Sequence, residues 1–220
     1  MICNTKYSEK NITSKYKVKS RVIYVGTRTD FFKPVAKKKN IILTIAAQKA
    51  QRSDFLLKNI SKMIKDRQDF EIWVVGNQGT YGKELQKLVS ELGISKYVKF
   101  FGRINDEELV KIYSQALVTI HLVRQPPFGM IVTESMSCET PVIACHPGGT
   151  DETIIHDKTG FLINEDDEDG LIKYITKFLD EPELSYEMGK MGREQVKRFF
   201  DQNTNNEEFR KLMIKYIDKN

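Results

Sequence analysis

Residues 126–149 read PPFGMIVTESMSCETPVIACHPGG. A Phe128-Gly129 turn opens a short apolar helix predicted over 129–138, with a single carboxylate, Glu134, about one turn inside it. A β-branched strand follows at 141–146, and the Gly148-Gly149 turn starts the next helix. This order of turn, helix, strand and turn is how α/β sheets build a site for a nucleoside diphosphate. Unpaired N–H groups at a helix N-terminus face phosphates. A nearby carboxylate accepts hydrogen bonds from ribose hydroxyls, as acidic residues do in dinucleotide folds.

Outward from this stretch, the chain alternates in the same way. Strands are predicted at 41–47 (IILTIAA), 70–75 (FEIWVV), 97–101 (YVKFF), 117–123, 141–146 and 160–163. Between them, the apolar positions Phe55, Leu56, Ile60, Met63 and Ile64 repeat at helical spacing, with Ser53 as the expected N-cap. Further helices are predicted at 83–92, closed by Gly93, and from the capping-box pair Asn105/Glu108 to 116. The remainder, 167–218, reads as helix interrupted near Pro182 and at 201–204. Six near-continuous apolar strands alternating with helices predict an α/β fold: a single Rossmann-like, doubly wound parallel sheet with C-terminal helices. Ligands bind such sheets at the strand carboxyl ends. Gly76, Gly102, Gly129, Gly148 and Gly149 all fall there, though any one of them alone could be ordinary turn chemistry. The expected organisation is a polar basic arm at 1–20, a linker at 21–40 holding the short strand RVIYVG, the sheet domain at 41–200 and a C-terminal helix at 201–220. The arm is expected to be poorly ordered, and Lys37-Lys38-Lys39 to be solvated.

Composition narrows the function classes. The 220 residues are 40% hydrophobic and 30% charged, enough to bury a core. No apolar run is long enough to cross a bilayer, and the first ten residues lack a signal core. Cys3, Cys138 and Cys145 show no metal-type spacing, so reduced core thiols in a cytoplasmic protein and no metal are expected. Residues 1–40 carry eleven Lys/Arg against two acids, +9; residues 41–220 carry twenty-four against twenty-eight, −4. The positive arm is a solvated linker, a peripheral contact to an anionic membrane or a contact to an acidic partner. An acidic body argues against nucleic acid as a partner.

The residues also resemble a family. FGMIVTESMSCETPVIACHPGGTDETIIHDKTGFLI is similar to the core of the retaining glycosyltransferases of GT-B fold, glycosyl transferases group 1. The family pattern runs E-x-F-G-x-x-x-x-E-A-M-A-x-G-x-P-V-I, then G-G-x-x-E and G-x-L. VKFFGRINDEELVKIYSQALVTIHLV resembles the preceding family segment, and VIYVGTRTDFFKP the interdomain stretch. The likeness runs from residue 21 to about 200. It implies the C-terminal, donor-binding half of a GT-B enzyme, with no cofactor other than a nucleotide-diphosphate sugar as co-substrate. An acceptor domain would come from a second polypeptide.

Residue by residue, Glu134 matches the family's ribose-binding second glutamate. Phe128, Gly129, Met130 and Ile131 match the segment that meets the diphosphate, and Arg103-Ile104 the loop that meets the base. The first glutamate of the pair falls on Pro126, so no catalytic residue is assigned. The family's diphosphate Arg and Lys fall, by direct spacing, on Ala47 and Gln51; Lys49 and Arg52 are close enough to substitute if the loop shifts. Glu139 replaces a glycine, which implies altered turn geometry. Among the remaining residues, His121 and Trp73 read as core, His146 as facing the cleft and Glu152 as an acid favouring its own helix dipole. Three functions remain open: glycosyl transfer with retention, without a metal; a non-catalytic nucleotide-sugar-binding or regulatory module; or an acidic α/β domain with no nucleotide site, docked by its basic arm on a membrane or partner.

Overall fold

The computed structural model describes residues 1–76 and 79–217. Six strands form one parallel sheet: β3 (Ile41–Ile45), β4 (Glu71–Val75), β5 (Val98–Gly102), β6 (Val118–His121), β7 (Val142–Cys145) and β8 (Gly160–Ile163). Their order is β5-β4-β3-β6-β7-β8. Chain order therefore reverses between β3 and β6, which pair in parallel through Ile42↔Val118 and Thr44↔Ile120. The crevice at a topological switch point opens there, at the carboxyl ends.

Alternation along each strand feeds two cores. Ile42, Ile72, Val74, Ile120, Ile143 and Phe161 meet helices α2 (Ser53–Met63), α3 (Thr80–Glu91) and α7 (Glu168–Asp180). Ile41, Leu43, Trp73 and Val75 meet α4 (Asp106–Gln115) on the other face. Val142 and Ala144 face α5 (Met130–Ser137) and α8 (Pro182–Phe199) on that same side. Leu56, Leu57 and Ile60 of α2 are fully buried, each stabilising by roughly 1.5–3 kcal/mol relative to exposure. A four-residue helix, α6 (Thr150–Thr153), follows the double glycine, and α9 (Gln202–Ile217) ends the described chain. The last three residues of the predicted C-terminal helix lie outside the described residues. The breaks fall as read: Pro182 occupies the first turn of α8, and α9 starts after Asp201. None of the helices among the described residues is long and apolar enough to cross a membrane.

Four local expectations are corrected. Residues 1–20 are folded: β1 (Ile2–Cys3) pairs in parallel with β2 (Arg21–Val22), and α1 (Lys6–Tyr16) joins them. Thr5 caps α1 by accepting from the Ser8 amide, and tertiary contacts described below hold a segment too polar to fold by composition. RVIYVG is thus strand only at its first two residues. Secondly, Ser53 does not cap α2. Arg52 takes that position in a left-handed conformation (φ 54), and the buried Ser53 hydroxyl is shared with Thr44 Oγ1 at 3.0 Å. Thirdly, Lys38 is not solvated. Its ammonium donates to Ala116 O (3.1 Å) and Thr140 Oγ1 (2.7 Å), and burial lowers its pKa to about 7. Fourthly, the turn at Glu139 keeps the glycine geometry: Glu139 itself adopts φ 58.

Candidate functional site

The α5 helix starts from Gly129, whose φ of 98 favours glycine and places the helix start at the end of β6. No side chain caps α5, so its first amides are open to a ligand. Glu134 lies one turn in, and its Oε2 accepts from Tyr113 Oη of α4 at 3.2 Å. Burial pushes the Glu134 carboxyl up to about 7; the Tyr113 hydrogen bond and the Arg28 guanidinium pull it back, while Asp106 adds to the rise. Tyr113 is fully buried, and burial together with the neighbouring carboxylate keeps its phenol protonated. It is therefore a fixed donor. Arg28, from the linker, stacks at 4.5 Å over Phe31 and pairs with Asp106 at 2.6 Å. The linker itself is anchored by Arg193 of α8, which donates to Phe32 O (2.9 Å), Thr29 O (3.2 Å) and Ser137 O.

The strand ends around this helix carry the remaining candidates. Gly76 closes β4 with φ 151 and sits tightly on the chain leaving β3; a Cβ there would lie 2.6 Å from Ala46 C. Arg103 is exposed and Ile104 half-buried after β5, where Ile104 packs against the core beneath α4. Phe128 is buried between Tyr24 and Phe200, a packing role, whereas Met130 is exposed at 38% and Ile131 half-buried at the α5 start. After β3, Ala47 offers no charge, Lys49 is exposed in a single 3-10 turn, and Arg52 turns inward with its side chain 17% exposed. The Arg52 Nη1 is buried without a hydrogen-bond partner, while its Nη2 pairs with Asp166. Arg124, just past β6, pairs with the other oxygen of Asp166 and, through Nε, with Glu165 at 3.5 Å. Arg28, Tyr113, Arg124 and Asp166 were not singled out in the sequence: Arg28 and Tyr113 lie inside family-like segments without a role of their own there, and each of the four joins the site from a separate element.

Pro126 is buried, and its carbonyl accepts from the Gly149 amide at 2.6 Å. Its ring fills the space over Gly148, where a Cβ would meet Pro126 Cδ at 2.5 Å. The place of a first acid is therefore closed by an apolar ring. His121 ends β6 buried, with Nε2 unpaired, and burial lowers its pKa to about 4, so it is neutral. His146 is partly exposed beside Asp151, 3.9 Å away. Glu152 does more than favour its own helix. Its Oε2 and Oε1 accept from the Lys6 (2.9 Å) and Tyr7 (2.8 Å) amides at the start of α1, and Oε2 also accepts from Tyr24 Oη at 2.8 Å. Thr5 Oγ1 donates to Pro127 O at 2.8 Å, so the N-terminal segment is latched to the loop before α5. A surface hollow of about 540 Å³ walled by α2, α7 and the turn after α2 contains none of the candidate residues. Among the described residues, no three His, Cys, Asp or Glu side chains are gathered as a metal site.

Comparisons with known proteins bear on the family and the fold. The profile described as Glycosyl transferases group 1 matches residues 26–195. The human alpha-1,3/1,6-mannosyltransferase ALG2 is 32% identical over 137 residues, covering 62% of this chain and 32% of that protein. Sucrose-phosphate synthase from Thermosynechococcus elongatus superposes with a TM-score of 0.90 at 26% identity, over 100% of this chain and 58% of that one. HepE of Anabaena, solved with UDP and glucose, superposes with a TM-score of 0.86 at 20% identity, over 97% and 62%, a likeness of fold. The chain thus spans a third to about three fifths of the length of these proteins.

Proposed function

The chain belongs to the glycosyl transferases group 1 family, and from that premise we propose that it is the donor-binding half of a glycosyltransferase that takes a nucleotide-diphosphate sugar. One observation carries the reading. A half-buried carboxylate, Glu134, is held by Tyr113 one turn inside an uncapped helix that starts at the switch point of the sheet. The ribose hydroxyls would donate to Glu134, and the diphosphate would meet the first amides of α5, at Met130 and Ile131. Arg52 would add the charge for the leaving nucleoside diphosphate, and its unpaired Nη1 supports that role. Arg103 and Ile104 would border the base. Cationic donors aimed at charge that develops on a leaving group each lower the barrier by a few kcal/mol. Transfer would proceed with retention, with the phosphate charge met by guanidinium and amide groups rather than a metal, and with the acceptor held by a domain outside these residues.

A second reading is favoured by Pro126. With an apolar ring where an acid would face the sugar, the chain would bind nucleotide sugars without transferring them. Incubating the purified chain with UDP-, GDP- and ADP-sugars and measuring bound ligand and released nucleotide separates the two. Binding with turnover supports the transferase, and binding without turnover, with or without added acceptor fractions, supports the module. Binding of none of the three overturns both.

A further inference from the structure

Two guanidiniums of different origin converge on one carboxylate at the mouth of this crevice. Arg52 leaves β3 and Arg124 leaves β6, the neighbouring strands on either side of the switch point, whose backbones run about 4.8 Å apart. Arg52 Nη2 pairs with Oδ1 of Asp166 and Arg124 Nη2 with Oδ2. Asp166 arrives from the loop between β8 and α7, where it holds a left-handed φ of 60. Arg124 and then Arg52 hold that carboxyl below the ordinary range. Beneath the cluster, the Cys145 thiol at the end of β7 is pushed up to about 11 by burial and carries no charge.

We propose that Arg52 and Arg124 form a two-guanidinium clamp for the diphosphate of the donor, that Asp166 occupies this clamp until the ligand displaces it, and that Arg124 supplies the cation missing at Ala47. The inference rests on the donor-site reading. Guanidinium forks bind carboxylate and phosphate in the same planar, bidentate manner. A carboxylate between two arginines therefore marks where a phosphate group fits. The buried Nη1 of Arg52 has no acceptor while Asp166 is in place, and a diphosphate has oxygens enough to satisfy both forks and this donor. Leaving such a donor unpaired is unfavourable. The exchange is accessible, because the Arg124 and Asp166 side chains are 50% and 53% exposed, and ion pairs so exposed are weak. Glu165, 3.5 Å from Arg124 Nε, withdraws with the same loop.

The test is calorimetric titration of the full chain with inorganic pyrophosphate, UDP, GDP and ADP. The variants are Arg124→Gln, Asp166→Asn and, as a charge control on α3, Lys87→Gln. Thermal midpoints are measured alongside. The expected result is that Arg124→Gln weakens pyrophosphate and the bound nucleoside diphosphate about tenfold, the scale of a charge-assisted hydrogen bond. Asp166→Asn tightens both, and Lys87→Gln changes neither. If a nucleoside diphosphate binds and its affinity is unchanged in Arg124→Gln and Asp166→Asn, the clamp is overturned and the donor site stands. If pyrophosphate alone binds and follows the expected pattern, Arg52 and Arg124 hold a diphosphate, but the donor reading falls and the clamp's assignment to the donor with it. If neither pyrophosphate nor any nucleotide binds, both fall. A shift in thermal midpoint with unchanged affinities would assign the three residues to architecture and overturn the clamp.

Discussion

Tyr113 Oη lies 3.2 Å from Glu134 Oε2, linking the last turns of α4 to the second turn of α5 across the mouth of the crevice. The Glu134 carboxyl, raised to about 7 by burial, is mostly protonated in the unliganded protein below that value. Ribose hydroxyls donate to the ionised form, so nucleotide binding draws its pKa down and releases a proton. Affinity is therefore expected to rise as pH goes from about 6 to about 8, by up to tenfold per unit below the pKa. Calorimetry in two buffers of different ionisation enthalpy measures the released proton. Glu134→Gln is expected to abolish the pH dependence and weaken binding about tenfold, the effect of losing hydrogen bonds to a charged acceptor. Tyr113→Phe keeps the carboxylate but removes its donor, and is expected to raise the pH at which binding is half-maximal.

His121 titrates in the opposite sense for stability. Burial lowers its folded pKa to about 4, whereas the unfolded chain protonates it near its ordinary value of 6.5. The unfolded state binds more protons between these limits, so this contribution to stability is lost as pH falls from about 6.5 towards 4, by roughly 3 kcal/mol in full. Glu134, raised in the folded state, opposes it over part of the same window. Urea midpoints of the parent and His121→Leu, compared between about pH 7 and pH 5, isolate the histidine. The gap between the two curves is expected to move in favour of the variant on acidification. Parallel curves would show that His121 is accessible to protons in the fold.

The latch of the N-terminal segment can be broken at one residue. Glu152 accepts from the Lys6 and Tyr7 amides and from Tyr24, and hydrogen bonds to a charged group contribute about 1.5–3 kcal/mol each. Glu152→Ala is expected to release α1 and speed tryptic cleavage at Lys10, Lys15, Lys17 and Lys19 several-fold. Nucleotide affinity should change little, because the contacts of Glu134 and Arg52 are untouched. Cleavage at the parent rate would show that β1 pairing and the Thr5–Pro127 hydrogen bond hold the segment without Glu152.

Glu139 offers a gain in stability. It holds a left-handed conformation, φ 58, at the turn between α5 and β7. That conformation is unfavourable by about 1–2 kcal/mol for a residue with a Cβ, and glycine loses part of the advantage through its larger entropy loss on folding. Glu139→Gly is thus expected to stabilise by roughly 0.5–1 kcal/mol, read as a higher urea midpoint at unchanged slope. Glu139→Val should lower the midpoint.

The sheet was legible because its signals are local. Strands such as Ile41–Ile45 and Val142–Cys145 are buried on both faces and read as apolar runs. The Asn105 cap and the α8 break at Pro182 are written in neighbouring residues. The start of α2 was misplaced because Arg52, not Ser53, turns the corner, and the partner that draws Ser53 inward, Thr44, sits on a strand. The order of α1 was hidden because its acceptor, Glu152, lies 146 residues from Lys6. The same distance effect hid Tyr113 from Glu134 and Asp166 from Arg52: spacing along the chain carries no information about contacts between elements. Pro126, by contrast, could be read from the sequence alone, because no conformation gives a proline ring a carboxylate.

The measurement that bears most directly on the donor site is titration of the purified chain, and of Glu134→Gln, with UDP-, GDP- and ADP-sugars at neutral pH. The account predicts that at least one of the three binds the parent with sub-millimolar affinity and binds Glu134→Gln about tenfold more weakly. Absence of binding by all three at millimolar concentration, or equal affinity for parent and variant, would contradict it.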